Sequence, residues 1–362
     1  MTRTGSSDKL LFATVIGLVL FGLVMIHSAS AVIAMEQEGN PYFYLQKQAV
    51  WAGLGLVGMC IAMQIDYRFY NRKFVVYGSL VTVVGMLVAV FAFSPVNGAH
   101  RWIKFGGFQC QPSEIAKLVT VLFLAHWLDV NSSDRSRFWR VLVPCAGVAG
   151  LLAVLVVAEP DLGTALAIGT ALIVVLFTAA VPLKQIAVLP MTAAPFVAGL
   201  LVFVPFRLKR LGAFLDPWAD PTGSGYHVIQ SLLAIGTGGV WGVGLSQGRQ
   251  KLFYLPEPHT DFIFAVIGEE LGLFGACAIV LVFGVLAWRG LRAAGRAPDD
   301  FGALLATGLT IMVVAQALFN VSVTLAMVPT KGIPLPFVSY GGSSLFISMT
   351  AMGVLLNISQ GK

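Results

Sequence analysis

Charged residues are scarce in this sequence. Only 11% of its 362 residues are Asp, Glu, Lys or Arg, whereas 57% are hydrophobic. Soluble domains carry about 25% charged residues, so this chain has less than half the usual share. A soluble protein of this length cannot hide so much apolar surface in one core. The composition therefore excludes an ordinary soluble enzyme and indicates a protein for which lipid is part of the solvent.

Cysteine, leader and repeat signals are also weak. The first apolar run, residues 10–34, is too long for the core of a cleavable signal peptide and is typical of a signal anchor. No convincing internal repeat supports an inverted-repeat transporter. The cysteines have no metal-like spacing, which favours neither a disulfide framework nor a zinc site. They are Cys60, Cys110, Cys145 and Cys277.

The apolar residues are gathered into runs that are long enough to cross a bilayer. A crossing helix needs roughly 20 mainly apolar residues, and in lipid such a run satisfies its backbone only as a helix. We therefore expect an all-α integral membrane protein, one polytopic domain over residues 1–362, with about ten spans and a large structured outer loop, 206–261, between spans 7 and 8. The predicted spans are 10–34, 48–65, 74–93, 112–130, 141–158, 162–181, 186–205, 262–288, 301–328 and 342–358.

The basic residues of the short connections predict the orientation. Loops rich in Lys and Arg stay on the cytoplasmic side. One set of connections holds more than half of the 23 basic residues, so we expect these loops and both termini to be cytoplasmic. These residues are Arg3, Lys9, Arg68, Arg72, Lys73, Arg135, Arg137, Arg140, Lys184, Arg289, Arg292, Arg296 and Lys362.

The remaining cations are concentrated on the predicted outer side. All of them except Lys47 lie in three segments, 94–117, 206–261 and 329–341. One explanation is that a long loop is translocated regardless of its charge. The other is a binding surface for an anionic ligand, since guanidinium and ammonium groups are the usual donors to phosphate and carboxylate.

The outer loop 206–261 ends in Pro-Glu-Pro-His-Thr-Asp, directly before an apolar helix. Within this loop, Tyr226 to Ile235 is amphipathic and predicts a short helix. Thr260 or Asp261 has two readings. Either residue is a suitable N-cap of the following helix. Asp261 is equally suitable as a general base at the mouth of a membrane cavity. Spacing alone does not separate these readings.

A second group of polar residues surrounds the start of the fourth span. Glu114 and Lys117 are three residues apart, hence on one helical face. They predict either a self-neutralising ion pair or a lysine that faces an anion and is oriented by the carboxylate. Arg101 and Lys104 flank Trp102, and Arg101 is the better phosphate ligand because its fork binds bidentately.

Two more outer segments contain candidate residues. Asp161, in the connection Glu-Pro-Asp-Leu-Gly, is explained by turn formation and capping of the sixth span, with a cavity role as the alternative. The segment 329–341 has three prolines and a glycine pair, which cannot continue a helix. Irregular backbone is tolerated at such a depth where it lines a cavity. Glu269 and Glu270 lie inside a span, where carboxylates usually face a cavity or a partner.

Four blocks of this sequence resemble the SEDS family (shape, elongation, division and sporulation). They are NGAHRWIKFG with QPSEIAK, then EPDLGTA, KLFYLPEPHTDFIFAVIGEELG, and PTKGIPLPFVSYGGSS. They occur in this order over nearly the whole chain. PTKG and PEPHTDFIFA are more similar to the FtsW division branch, with its sporulation relative, than to the RodA elongation branch.

The resemblance implies a peptidoglycan glycosyltransferase that polymerises lipid II on the outer face of the bacterial cytoplasmic membrane during septal wall synthesis. The family's essential aspartate matches Asp261. Other family site residues match Arg101, Glu114, Lys117, Asp161 and Lys331. Together with the cations and histidine of the outer loops, the complete set of expected substrate-binding residues is Arg101, Lys104, Glu114, Lys117, Asp161, Arg249, Lys251, His259 and Lys331.

The implied reaction also sets expectations for cofactors and partners. A divalent cation, Mg²⁺ or Mn²⁺, is compatible with pyrophosphate and carboxylate ligands, but the sequence contains no dedicated metal cage. The expected partners are lipid II, a class B penicillin-binding protein and other divisome membrane proteins, and not nucleic acid. The alternatives are a lipid II flippase without transfer chemistry and a scaffold that only recruits a synthase.

Overall fold

The computed structural model describes residues 7–94, 99–105, 108–202, 205–252, 254–329 and 332–361. Lys331, a candidate binding residue, and the basic residues Arg3 and Lys362 lie outside this set. The regular secondary structure of the described chain is helical apart from a short antiparallel hairpin of β1 (Ile103–Phe105) and β2 (Phe108–Cys110). The α-helices are α1 (Lys9–Glu38), α2 (Phe43–Gln64), α3 (Lys73–Ala89), α4 (Pro112–Val130), α5 (Val143–Ala158), α6 (Leu162–Thr178), α7 (Leu183–Ile186), α8 (Val188–Val202), α9 (Pro205–Leu215), α10 (Tyr226–Gly238), α11 (Ile263–Ala294), α12 (Asp300–Thr324) and α13 (Gly342–Ser359).

Six segments of the described chain are long and apolar enough to cross a membrane. They are Lys9–Glu38, Lys73–Ala92, Phe138–Ala158, Ile263–Ala294, Asp300–Thr324 and Gly342–Ser359. A shorter apolar helix covers Leu162–Thr178. The expectation of an all-α membrane protein is confirmed. The other predicted spans correspond to α2, α4, α6 and α8.

Helix α12 lies at the centre of the bundle. It packs against α4, α6, α11 and α13, and most of its residues are buried. Helix α13 packs along α2. The peripheral helices instead expose large apolar side chains, such as Phe74 (89% exposed) and Trp139 (80%). Such exposure is expected for surfaces that face lipid, since apolar side chains are not driven out of hydrocarbon.

Helix α11 is interrupted at Gly272, although the sequence predicts an uninterrupted eighth span. Gly272 has φ +64°, a conformation that favours glycine. The interruption leaves carbonyl groups without helical partners. The main-chain nitrogen of Val243 donates to the main-chain oxygen of Glu269, and that of Gly244 donates to the main-chain oxygen of Glu270, each over 3.0 Å. The glycine-rich segment after α10 therefore completes the backbone hydrogen bonding of the broken helix.

The predicted outer loop, 206–261, is partly helical. It contains nearly all of α9, a 3₁₀ turn at Pro217–Ala219, and α10. The predicted short helix at Tyr226 is present and extends to Gly238. Helix α10 packs on α11 and buries Val228, Ile229 and Ala234. The helices α9 and α10 thus lead the chain back to the start of α11, where Asp261 lies.

Candidate functional site

Asp261 precedes α11 but does not cap it. The N-cap position is Phe262, which makes no capping hydrogen bond, and the Thr260 hydroxyl donates to the main-chain oxygen of Glu257 over 3.2 Å. The capping explanation that the sequence leaves open for Thr260 and Asp261 is therefore wrong. The side chain of Asp261 remains partly exposed. It faces Gly332, where an added Cβ would lie 2.8 Å from the Asp261 Oδ2 atom.

The surroundings of Asp261 raise its pKa to about 7. Removal from water is the largest cause, followed by the negative charge of Glu257, while the guanidinium of Arg101 acts in the opposite direction. A carboxylate with a pKa near neutrality is half protonated at working pH. It is therefore a stronger base than an ordinary aspartate and suits proton transfer.

Arg210 of α9 is a neighbour of Asp261 that the sequence analysis does not select. The positive charge of Arg210 lowers the pKa of Asp261, in opposition to burial, and Arg101 acts on Arg210 as well. Two guanidinium groups and one carboxylate therefore share this region. The sequence shows a basic cluster at residues 207–210. It does not tell which of these cations turns toward the interior of the protein.

Glu114 and Lys117 form a buried ion pair at the start of α4. Lys117 Nζ lies 2.9 Å from Glu114 Oε1, and both side chains are 4% exposed. Lys117 also donates to Gln316 of α12, and Ser344 donates to the second oxygen of Glu114 over 2.9 Å. The pair is thus anchored by two other helices, α12 and α13. Removal of either partner would leave a buried charge without compensation.

Helix α12 connects this pair to the segment of Asp261. The side-chain nitrogen of Gln316 donates to the Pro334 carbonyl over 2.9 Å. Asn320, one helical turn later, donates to the carbonyls of Asp261 (2.8 Å) and Ile333 (2.7 Å). The sequence analysis does not select Gln316 or Asn320. Their i, i+4 spacing in a mainly apolar span was the available signal.

Asp161 caps α6 and also belongs to the polar region around Asp261. It accepts hydrogen bonds from the Thr164 main chain (3.0 Å) and hydroxyl (2.7 Å). Gln111 and Ser113 donate to Oδ2, the same side-chain oxygen that accepts from the Thr164 hydroxyl. Its charge raises the pKa of Asp261. Capping and proximity to the site, which the sequence presented as alternatives, therefore occur together.

Arg101 is held by main-chain carbonyl groups. Its Nε donates to the oxygen of Glu159 over 3.0 Å, and a terminal nitrogen donates to that of Pro160. The guanidinium is thereby fixed beside the loop that carries Asp161. Lys104 lies on β1 with an exposed side chain. It is available to an anionic ligand.

His259 packs in an aromatic cluster with Tyr44 and Tyr340. Ring centroids are 4.5 Å apart for His259 and Tyr44, and 5.7 Å for His259 and Tyr340. The Tyr340 nitrogen donates to the His259 carbonyl over 2.9 Å. Burial lowers the pKa of His259, so the ring is neutral at neutral pH. The cluster fixes the two loops that border Asp261.

Arg249 and Lys251 belong to a second polar centre. Lys251 Nζ lies 2.6 Å from Glu270 Oε1, and the Arg249 main-chain nitrogen donates to Glu269 over 2.7 Å. Glu270 is seven residues after Ile263, roughly 10 Å along a helix axis. The charges that act on Asp261 come instead from other segments: Glu257, Arg101, Asp161 and Arg210.

No group of three metal-ligating side chains comes together in the part of the chain that the structure describes. The Asp161 carboxylate already accepts hydrogen bonds from Thr164, Gln111 and Ser113. The described residues thus do not form a dedicated metal cage.

The fold and the site together define a class of protein: a polytopic membrane protein with a polar site built from the N-terminal ends of α4, α6 and α11 and the C-terminal half of α12. The profile of the FtsW, RodA and SpoVE cell cycle proteins matches residues 8–362, and the chain belongs to this family, the SEDS family.

Relatives and solved structures are similar to this chain over nearly its full length and nearly their own. "Stage V sporulation protein E" of Bacillus subtilis is 40% identical over 99% of this chain and 98% of the relative. "Probable peptidoglycan glycosyltransferase FtsW" of Trichlorobacter lovleyi is 43% identical over 99% and 94%. A structure described as "Structural coordination of polymerization and crosslinking by a peptidoglycan synthase complex" has a TM-score of 0.80 at 29% identity, covering 98% of this chain and 97% of that one. Rod shape determining protein RodA of Thermus thermophilus has a TM-score of 0.70 at 27% identity, covering 98% and 96%.

Proposed function

We propose that this protein is a peptidoglycan glycosyltransferase that polymerises lipid II, with Asp261 as the base. The observation that carries the proposal is a partly exposed carboxylate with a pKa near 7, acted on by two guanidinium groups. Family membership and the names of relatives supply the substrate class. The site supplies a base and cations, which are the two requirements of this reaction.

In the proposed step, Asp261 takes the proton of a GlcNAc 4-hydroxyl or positions that hydroxyl. The oxygen attacks the anomeric carbon of a second lipid-linked disaccharide. A C–O bond forms, the C–O bond to the polyprenyl pyrophosphate breaks, and that group leaves with the bonding electron pair. The configuration inverts. The two-carboxylate arrangement of hydrolases is not required: no acid needs to protonate the leaving oxygen, because pyrophosphate is already a good leaving group.

Four cations are proposed to stabilise the leaving pyrophosphate. Arg101 is fixed by two carbonyls and Arg210 acts on the same carboxylate. Lys104 is exposed, and Lys117 is held ready by Glu114 and Gln316. Fixed donors stabilise developing charge without reorganisation during the reaction. His259, Asp161 and Lys331 are proposed to complete the binding surface.

The membrane arrangement proposed for this function is one domain with about ten spans, cytoplasmic termini and an extracytoplasmic site. The Lys and Arg residues of the short connections support this orientation. Similarity to the division branch supports a septal role. The synthase complex among the structural neighbours supports a partner that crosslinks glycan, for which a class B penicillin-binding protein is the candidate.

Purified protein in liposomes with lipid II tests the proposal. Asp261→Asn should insert and melt normally yet make no glycan polymer, because the amide cannot accept the proton. Asp66→Asn, an exposed aspartate between α2 and α3, is the matched control and should polymerise normally. Near-normal polymer from Asp261→Asn would refute the base assignment.

A lipid II flippase is the alternative function, because buried charges also suit a transporter. Alternating-access carriers usually place their site at the bilayer midplane between repeats. Here the polar residues are gathered at one end of the helices α4, α6 and α11. Lipid II translocation by wild-type protein without polymer would favour the flippase.

A further inference from the structure

A cavity of about 320 Å³ lies between α1 and the segment that precedes Asp261. Its lining includes His27, Ser28 and Val32 of α1, and Arg249, Lys251 and Leu252 of the loop. Neither Asp261 nor the residues of the Glu114–Lys117 pair line it. The cavity therefore has its own chemistry.

The inner wall of the cavity contains a buried ammonium group. Lys251 is 4% exposed, and its Nζ lies 2.6 Å from Glu270 Oε1 and 3.0 Å from the Ser28 hydroxyl. Ser28 also donates to Glu270 over 2.7 Å. An ammonium has three donors, of which two are used here. Glu270 compensates the charge, and one N–H remains for a ligand.

The rim of the cavity contains an exposed guanidinium. The Arg249 main chain is fixed by Glu269, but none of the described residues forms a hydrogen bond or ion pair with the Arg249 side chain. No aspartate or glutamate belongs to the lining. A planar guanidinium binds phosphate oxygens in pairs. An ammonium donor and a guanidinium at one cavity therefore suit a phosphate group.

The cavity also has an apolar side. Val32 and Leu252 are 46% and 37% exposed, and α1 is one of the six helices that can cross a membrane. Free phosphate gains nothing from such a wall, whereas a lipid phosphate places its chain along it. A cavity at the small end of the 300–1,000 Å³ range of ligand sites admits a headgroup but not a disaccharide-peptide.

We propose that this cavity is a binding site for the phosphate headgroup of a membrane lipid, separate from the Asp261 site. The site does not depend on the proposed transfer reaction, because binding is measured without turnover.

The probe is dioleoyl phosphatidic acid, titrated against purified protein and followed by native mass spectrometry. Wild-type protein should show saturable binding. Arg249→Ala should weaken it roughly tenfold or more, since a hydrogen-bonded charge is lost. Ala31→Trp, which fills the cavity without changing charge, should weaken it as well. Arg292→Ala, at the other end of α11, is the control and should leave this binding unchanged.

Three results would overturn the proposal. Unchanged binding by both Arg249→Ala and Ala31→Trp would place the lipid elsewhere. Equal affinity for dioleoyl phosphatidylcholine would mean that the anionic charge is not recognised. Displacement of the lipid by millimolar inorganic phosphate would identify a site for free phosphate instead.

A second inference concerns Glu159, at the end of α5. Its side chain is fully buried, and neither carboxyl oxygen has a hydrogen-bond partner within the described chain. A buried carboxyl group without partners is rare in native proteins and needs an explanation. Two charged groups act on it: Asp161 from the start of α6, and Arg101 from the segment before β1.

Burial, followed by the charge of Asp161, raises the pKa of Glu159 to about 8, against the influence of Arg101. Glu159 is therefore mostly protonated at pH 7. A neutral carboxyl group leaves the Arg101 guanidinium on the main-chain carbonyls of Glu159 and Pro160. An ionised one would compete for that guanidinium.

We infer that Glu159 is a positioning residue whose neutral form keeps Arg101 in place beside Asp261, and whose ionisation draws Arg101 away. This inference rests on the proposed glycosyltransferase function. It adds a protonation-dependent control of a cation that binds the anionic substrate.

Lipid II polymerisation across pH 6 to 9.5 tests this role. Wild-type activity should fall above a midpoint of about 8. Glu159→Gln, which imitates the neutral acid, should keep wild-type activity at pH 7 and lose the alkaline decline. Glu36→Gln, an exposed change on α1, is the control and should keep the alkaline decline. Loss of activity at pH 7 by folded Glu159→Gln, or an unchanged decline, would overturn the inference. Inactive wild-type protein would instead count against the proposed function.

Discussion

The side-chain amide of Asn320 donates a hydrogen bond to the main-chain oxygen of Asp261 over 2.8 Å. The same nitrogen lies 2.7 Å from the carbonyl oxygen of Ile333. One side chain of the central helix α12 therefore holds the segment of Asp261 and the proline-rich segment after α12 together. The position of the candidate base depends on this buried residue, which is 1% exposed.

Asn320→Ala should reduce polymerisation strongly, by about tenfold or more, because a small displacement of a catalytic group is costly. Stability should fall by about 1–3 kcal/mol through the lost buried hydrogen bonds. Asn357→Ala is the matched control. Asn357 is also buried and bonds two main-chain groups, of Met63 and Tyr67, away from the site. It should lose similar stability while the folded fraction stays active; equal activity losses would contradict a specific role of Asn320.

The pH dependence of the reaction should show an acidic limb centred on the pKa of Asp261, about 7. A base is active when deprotonated, so activity falls below this pH, to roughly a tenth of the plateau one pH unit lower. Glu257→Gln removes a negative neighbour and should move the midpoint to lower pH. Arg210→Ala removes a positive neighbour and should move it to higher pH. Initial rates at lipid II concentrations well below KM measure the midpoint for the free enzyme. Shifts of the same sign for both variants would be incompatible with this electrostatic account.

Variants of the Glu114–Lys117 pair distinguish a structural role of the pair from a functional one. Glu114→Ala or Lys117→Ala alone should destabilise the protein by about 3–5 kcal/mol, because one buried charge loses its partner. The double variant Glu114→Gln with Lys117→Met removes both charges and should recover thermal stability. We expect it to remain inactive, since the proposed function requires the ammonium at the anionic substrate. Recovery of activity together with stability would assign the pair to structure alone.

Gly272 is a sharp test of the break in α11. An added Cβ would lie 2.3 Å from the nitrogen of Gly242, and the residue has φ +64°. Gly272→Ala should therefore cost about 2–4 kcal/mol, measured by thermal unfolding in detergent. Gly284→Ala, later in the same helix and with no atom within 4 Å of the new Cβ, should be neutral or slightly stabilising. Equal melting temperatures for both variants would mean that α11 tolerates a continuous helix.

The helices themselves were largely predictable, because apolar runs of bilayer length have one stable backbone conformation in lipid. Residues 10–34 and 342–358, for example, agree closely with α1 and α13. The break at Gly272 was not predictable. It depends on the close approach of the segment at Val243 and Gly244. That segment lies too far from Gly272 along the chain for a local sequence pattern to reveal the contact.

The sequence analysis selects five residues that the structure gathers into one polar region, through direct contacts and through the charges that act on Asp261. They are Asp261, Glu114, Lys117, Asp161 and Arg101. The sequence analysis also selects Arg249 and Lys251, because they are cations of the predicted outer loop. In the structure, however, the Arg249 main chain contacts Glu269, and Lys251 contacts Glu270. Charge and segment were visible in the sequence, but the direction of each side chain was not.

The amino-acid sequence by itself determined the membrane class, the helical architecture and the family, because composition, run length and motif order are local properties of the chain. Only the tertiary structure decided that Asp261 does not cap α11 and that α12 supplies Gln316 and Asn320 to the site. It also decided that the Glu159 carboxyl group is buried with no hydrogen-bond partner among the described residues. These facts follow from which helices touch. Desolvation and hydrogen bonding, which set the state of each ionisable group, exist only after those contacts form.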